Sequence, residues 1–159
     1  MKQTAQKIVN QKGLKSRVQD WQSQDLKVVF SNGCFDILHL GHIDYLEKAR
    51  KLGDRLVIGL NSDESVKLLK GAERPINKSE ARLRMLAALE FVDGVTIFEE
   101  ETPEYLINYL LPDILVKGKD YQVENIVGAK AVIDNGGEVK TIDLVEGYST
   151  TGIIEKLKK

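Results

Sequence analysis

The sequence predicts an α/β fold, a single domain built on a doubly wound parallel sheet, and three observations carry that prediction. Short runs rich in Val, Ile and Leu alternate with stretches of helical periodicity, the pattern of βαβ units whose sheet is covered on both faces. The 159 residues fit one domain with a complete hydrophobic core, so a second catalytic domain is not expected. No internal repeat, low-complexity stretch or Pro/Ser-rich linker divides the chain.

Residues 1–25 read as an N-terminal helical extension, helical over 2–24 with Gly13 as a break, and residues 26–159 as the α/β domain itself. The strands fall at 27–31, 55–60, 94–98, 113–117 and 138–142. After the first strand, Leu40, Ile43, Leu46 and Ala49 recur at helical spacing, Asp44, Glu47, Lys48 and Lys51 take the opposite face, and Gly53 ends the helix. A helix also follows the second strand and leads to Lys70-Gly71. Ser79-Glu80 opens another through an N-cap, with Leu83, Leu86, Ala87 and Leu89-Glu90 as its buried stripe. Thr102-Pro103-Glu104 supplies a cap, a proline at the first helical position and an early acid. Asn135-Gly136-Gly137 stops the helix before the last strand.

Composition narrows the function. Twenty-three basic residues nearly cancel 24 acidic ones, and a net charge of −1 argues against binding nucleic acid through bulk electrostatics. The first residues lack the apolar core of a signal peptide, and no apolar stretch approaches membrane-spanning length. A lone Cys34 cannot close an internal disulfide, so a cytoplasmic protein is expected, with no membrane partner.

Both histidines lie within four residues, His39-Leu40-Gly41-His42, directly after an apolar strand and the turn Ser31-Asn32-Gly33-Cys34-Phe35-Asp36. A strand running through a glycine turn into a helix start gathers backbone N–H groups and the positive end of the helix, which together attract an anion. Residues three apart share a helical face, so His39 and His42 can address one ligand, and Gly41 removes the side chain that would hold it away. The plainer alternative is one capping and one packed histidine. A zinc site fails on counting, since no third histidine or cysteine cluster exists. Walker A and Gly-x-Gly-x-x-Gly spacings are also missing, which removes the common kinases and dehydrogenases.

In doubly wound sheets ligands collect at the carboxyl ends of the strands, so the loops there should converge. They carry Asn61-Ser62-Asp63, Lys70-Gly71, Arg74-Pro75, Lys117-Gly118-Lys119-Asp120-Tyr121 and Gly147-Tyr148-Ser149-Thr150-Thr151. Ser149, Thr150 and Thr151 offer hydroxyls at a helix start, as phosphate ligands or as plain N-caps. Lys70 and Arg82 offer positive charge to a triphosphate or sit solvated on their helices. Asp36 can hold Mg²⁺ through water or cap a helix, and Asp120 can contact a nucleotide or close its turn. Cys34 reads as a small packed residue, because nothing beside it supplies an acylation triad.

These residues resemble the His-x-Gly-His nucleotidyltransferase superfamily and its Rossmann-like fold. The similarity is strongest to the adenylyltransferase domains of bacterial ADP-heptose synthases, which act on D-glycero-β-D-manno-heptose 1-phosphate. It runs from about Lys27 to Leu157 and includes residues 32–42, Leu69-Lys70-Gly71, Arg74-Pro75-Ile76, Thr102-Pro103, residues 112–118, Asp120-Tyr121 and Ser149-Thr150-Thr151. The resemblance implies that His39 and His42 bind the triphosphate of ATP and stabilise the transition state, with Lys70 and Arg82 contacting phosphates. It implies a nucleotide site formed by Gly33, Cys34, Phe35, Asp36, Gly41, Lys117, Gly118, Asp120, Gly147, Ser149 and Thr150, with Mg²⁺ held mainly by the phosphates. Lys119 departs from a usual second glycine and Tyr148 from a usual cysteine. Leu144 stands where cytidylyltransferases carry an arginine, which favours ATP over CTP. A sugar 1-phosphate acceptor, a separate sugar kinase to make it, lipopolysaccharide core synthesis as the destination and a homodimer follow as expectations from the same resemblance. Glycerol-3-phosphate cytidylyl transfer and FMN adenylyl transfer are the alternatives within this chemistry, and a non-catalytic nucleotide sensor is the alternative outside it.

Overall fold

The computed structural model describes residues 3–119 and 121–159, so the expectation for Asp120 lies outside the described residues. Five parallel strands, β1 (Val28–Gly33), β2 (Arg55–Asn61), β3 (Gly94–Phe98), β4 (Ile114–Gly118) and β5 (Glu138–Ile142), form one sheet in the order β3-β2-β1-β4-β5. The helices are α1 (Thr4–Lys7), α2 (Gln11–Ser23), α3 (Leu40–Arg50), α4 (Asp63–Lys70), α5 (Ser79–Ala88), α6 (Glu104–Leu110), α7 (Ala129–Asp134) and α8 (Thr150–Leu157), with a 3₁₀ turn at Val123–Asn125. All five expected strands are present within one or two residues. The doubly wound α/β architecture is therefore the one the alternating pattern implied.

Side chains along each strand divide between two cores, as a period of two requires. Val29, Leu56, Ile58, Leu60, Ile114 and Val116 face α3 and α5, whereas Val28, Phe30, Val57 and Leu115 face α2, α6 and α7. The apolar 103–116 stretch serves both cores, the second through Leu106, Ile107, Leu110 and Leu115 and the first through Ile114 and Val116.

Several local expectations shift. The N-terminal helical segment breaks at Ile8-Val9-Asn10 rather than at Gly13, whose N–H instead donates to the Asn10 cap at 2.7 Å. That break lets Ile8 bridge to Val95 and Val9 N donate to Val95 O, so the N-terminal segment covers the edge of β3 that would otherwise stand unpaired. Leu14, Val18 and Trp21 of α2 are buried against the sheet. In α3 the buried stripe comprises Tyr45, Leu46 and Ala49, with Leu40 exposed at the first turn. Helix α5 is preceded by Lys78 as its N-cap, without a side-chain cap, and Ser79 is its first residue. Arg82 joins Leu86 and Ala87 on its buried face, while Leu89 already lies past the helix and Glu90 is exposed. Pro103 takes the N-cap position of α6, so that helix begins at Glu104.

The two ends of the sheet differ. At the amino ends, carboxylates close the strands: Asp54 accepts from Lys27 N, Asp93 from Leu56 N and Asp113 from Val28 N, each at 2.8 Å. The carboxyl ends instead open into a cleft.

Candidate active site

Strands β1 and β2 stay in register as far as Gly33↔Leu60, but β1 and β4 pair only at Val29↔Ile114 and Phe30↔Leu115. Past Phe30 these neighbours part, because the chain winds in opposite directions on either side of β1. The Tyr45 hydroxyl occupies the fork, 2.8 Å from Ser31 Oγ and donating to Val116 O at 3.1 Å. Above it lies a cleft of about 560 Å³, a size ordinary for a small-molecule site.

The middle wall is the β1–α3 turn. Phe35 adopts a left-handed backbone (φ 45°), and its ring folds back so that a Cβ on Gly33 would stand 2.8 Å from it. The ring meets His42 edge-on at 5.2 Å. His39 takes the N-cap position of α3 with extended backbone, but its side chain makes no cap bond and stacks on His42, with centroids 3.8 Å apart and planes at 22°. Tyr148 flanks the other side of His39 at 6.4 Å. The buried Nδ1 atoms of both imidazoles have no hydrogen-bond partner among the described residues. Burial pushes His42 down to about 4, the adjacent His39 adding to the shift, and burial lowers His39 as well. Near neutral pH the cleft thus holds two stacked neutral rings, and a polyanion is the ligand that would favour their charged form.

Gly41 was expected to leave space for the ligand. The nearest groups are instead protein: a Cβ there would lie 3.0 Å from Cε1 and Nδ1 of His39 and 3.3 Å from Tyr148 Cβ. The glycine makes room for the histidine stack itself.

Asp36 corrects the expectation that its carboxylate is open to Mg²⁺. Its side chain is buried, and its carboxylate accepts from Arg74 Nε at 2.7 Å and from the backbone N–H groups of Ile76 and Asn77, both at 2.8 Å. Burial would raise its pKa, but the hydrogen bonds from Asn77, Ile76 and Arg74 outweigh that and hold it below the usual carboxylate range. Asp36 therefore clamps the 74–77 segment against the β1 turn.

Arg82 is the second correction. Expected at phosphates, or solvated on its helix, it is fully buried, because α5 turns it inward beneath the site. Its guanidinium donates to Asn77 O (2.9 Å), Cys34 O (2.8 Å), Asn61 O (2.9 Å) and Asp63 Oδ1 (2.6 Å). It ties the ends of β1 and β2 to the 74–77 segment and positions the turn without reaching the cleft. Cys34, whose thiol is pushed up by burial against the lowering effect of Lys70, Arg82 and Arg74, stays a packed thiol.

Lys70 ends α4, exposed at the cleft rim. From the other side come Lys117 and Gly118 at the end of β4, with Lys117 Nζ 5.6 Å from the centre of the Tyr121 ring. Ser149 caps α8, accepting from Gly152 N at 2.9 Å, and Thr150 Oγ1 donates to Ile37 O at 3.1 Å. Their hydroxyls hold the start of α8 beside the histidines, so the capping reading applies to Ser149 even though it lines the cleft. Gly147 (φ 84°) lines a smaller adjoining cavity of about 250 Å³, which it shares with His39 and Tyr148.

The cleft thus gathers Gly33, Cys34, Phe35, Asp36, His39, Gly41, His42, Lys70, Lys117, Gly118, Ser149 and Thr150. It adds Asn32, whose buried Oδ1 has no partner among the described residues, as well as Tyr148 and Arg74. The Arg-Pro pair stood in the sequence motif, but nothing local showed that its arginine turns inward. Among the described residues no group of three His, Cys, Asp or Glu side chains could hold a metal ion, and no helix is long and apolar enough to cross a membrane.

Comparison with known proteins points the same way. The model of the cytidylyltransferase-like family matches residues 30–156. The chain is 54% identical over 151 residues to the bifunctional protein HldE of Haemophilus influenzae (strain PittGG), covering 95% of this chain and 32% of that protein. It is 52% identical over 153 residues to the bifunctional protein HldE of Methylobacillus flagellatus, covering 96% and 31%. The chain spans about a third of the length of the curated relatives it matches. Among solved structures it is similar to a lipopolysaccharide core biosynthesis protein from Thermoplasma volcanium, with TM-score 0.61 and 30% identity over 78% of this chain and 99% of that one. It shares its fold, at TM-score 0.60 and 17% identity, with a pantoate-beta-alanine ligase from Francisella tularensis complexed with beta-gamma ATP and beta-alanine, covering 95% and 76%.

Proposed function

The chain belongs to the cytidylyltransferase-like family, and from that premise we propose that it transfers AMP from ATP to D-glycero-β-D-manno-heptose 1-phosphate, releasing pyrophosphate and ADP-heptose for the lipopolysaccharide core. The observation that carries this reading is the stacked His39–His42 pair, set with unpartnered nitrogens where β1 and β4 diverge. The relatives that support this reading are the HldE proteins and the lipopolysaccharide core biosynthesis protein. A sugar kinase supplies the 1-phosphate.

The reaction is an in-line displacement. A phosphate oxygen of the acceptor attacks the α-phosphorus of ATP, the new P–O bond forms, and the bond to the pyrophosphate oxygen breaks. A phosphate monoester is already anionic, so no general base is needed. Catalysis reduces to alignment and to stabilising charge on the α-phosphoryl oxygens and the leaving group. His39 and His42 supply N–H donors from one rigid stack, the start of α8 supplies backbone N–H groups, and Lys70 supplies mobile positive charge at the rim. We place Mg²⁺ with the triphosphate of the substrate, since the described residues offer no ligand cage and Asp36 is committed to Arg74, Ile76 and Asn77.

The test is a pyrophosphate-release panel with both anomers of heptose 1-phosphate, glycerol 3-phosphate and FMN against all four nucleoside triphosphates. Turnover with ATP and the β-anomer is expected. Nucleotide binding without turnover on any acceptor would leave the sensor alternative instead. Removing one transition-state donor typically costs on the order of a hundredfold in rate, so His42→Ala should keep its fold and lose about that much in kcat. An unchanged kcat would remove the histidines from the mechanism.

A further inference from the structure

We infer that Arg74 is the anchor for the phosphate group of the acceptor. The inference rests on the nucleotidyl-transfer reading above and adds to it the residue that fixes the second substrate. Arg74 enters the cleft wall from the loop after α4, with its side chain only 11% exposed. Its Nε donates to Asp36 Oδ2 at 2.7 Å, and no other hydrogen bond to its guanidinium is formed among the described residues. Asp36 is in turn fixed by the backbone N–H groups of Ile76 and Asn77. One edge of the guanidinium is thus aimed by a buried carboxylate, while the terminal N–H groups are left without protein partners at the cleft. A fork held in this way matches two oxygens of a phosphate monoester, and a mostly buried cation with unpaired N–H groups facing the cleft gains most from a dianion.

The layout decides which phosphate it takes. The turn Asp36-Ile37 carries both flanks of the cleft, since Asp36 holds the Arg74 segment and Ile37 O holds the start of α8 through Thr150. Sheet order puts these flanks on opposite sides of β1, with α4 and Arg74 following β2 and α8 following β5. The β4–β5 flank is partly apolar, with Tyr121, Leu144, Val145 and Tyr148, and suits a nucleoside. The β2 flank carries Asn61, Lys70 and Arg74 beside Leu69, and its polar and cationic groups suit a phosphate head. In-line displacement needs the entering and leaving groups on opposite sides of the α-phosphorus. With the nucleotide lying on the β5 flank and its α-phosphate over the histidines, the acceptor phosphate enters past Arg74.

The experiment is steady-state pyrophosphate release by the full chain and by Arg74→Gln and Arg74→Lys, varying ATP and heptose 1-phosphate separately, with the ATP Kd measured by calorimetry. A charged, desolvated hydrogen-bond pair is worth about tenfold to a hundredfold in affinity, so Arg74→Gln should raise the acceptor KM by that factor and leave the ATP Kd within about twofold. Arg74→Lys should fall between, and millimolar guanidinium should partly restore Arg74→Gln. A rise in the KM for ATP would move Arg74 to the triphosphate and overturn the assignment. Equal loss of kcat, ATP binding and thermal stability would reduce it to a brace for Asp36, overturning it too. If the wild-type chain turns over heptose 1-phosphate but Arg74→Gln keeps its acceptor KM, the assignment fails and the reaction stands. If the wild-type chain turns over no acceptor in the panel, the reaction fails first and the assignment falls with it.

Discussion

Acid should destabilise this protein through His42 before it reaches the carboxylates. The buried ring has its pKa lowered from 6.5 to about 4 by burial and then by His39, so between those values the unfolded chain binds a proton that the folded chain refuses. Stability therefore rises with pH across this window and is lost on acidification through it, with little further loss from this group below pH 4. Linkage between the two values gives a loss of about 1 kcal/mol on going from pH 7 to 5.5 and about 2.5 kcal/mol by pH 4.5. Asp36 acts in a different range. Its folded pKa is lowered from 3.8, so its contribution is held above that value and lost only below it. His39 is lowered in the same direction as His42 but remains in both proteins when His42 alone is replaced. Urea unfolding of the wild type and His42→Asn at about pH 7, 5.5 and 4.5 isolates the effect. The variant should lose about 2.5 kcal/mol less than the wild type between the outer two pH values. Parallel losses in the two proteins would refute the claim that the histidine stack is held neutral by its surroundings.

Two further outcomes follow from the same geometry. Because both imidazoles are depressed without ligand, a polyphosphate beside them should raise their pKa values, so ATP binding should take up protons and tighten as pH falls from about 8 toward 6.5. Calorimetry in buffers of different ionisation enthalpy reads this directly, and zero proton uptake would place the triphosphate elsewhere. Arg82→Lys keeps a charge but cannot serve Cys34, Asn61, Asn77 and Asp63 together, and breaking such a buried network costs about 3–5 kcal/mol. The urea midpoint should fall accordingly; an unchanged midpoint would show that Arg82 is not the tie it resembles.

The residues that were legible in the sequence share one property, that their signal is local. Strand positions followed from apolar runs, α3 from its periodicity, and the histidine site from a turn and two rings three residues apart. Lys70, Lys117, Gly118 and the start of α8 could be placed because parallel sheets bring such loops to one end. Other residues read the same way turned out differently. Arg82 sits on a helix that looks amphipathic whether its arginine faces water or core, and its partners Cys34, Asn61 and Asp63, 48, 21 and 19 residues away, make burial tolerable. Gly41 suggested space for a ligand and makes space for His39.

The sequence by itself determined a doubly wound α/β domain with a pair of imidazoles at the turn after its first strand, because hydrophobic period and turn chemistry act over a few residues. Only the tertiary structure decided which polar groups remain open to a ligand. Asp36 meets partners 38 to 41 residues away and is closed off, and that same contact leaves the far edge of Arg74 turned to the cleft. Hydrogen-bond capacity is settled by neighbours brought together across the fold, and no window of sequence contains them.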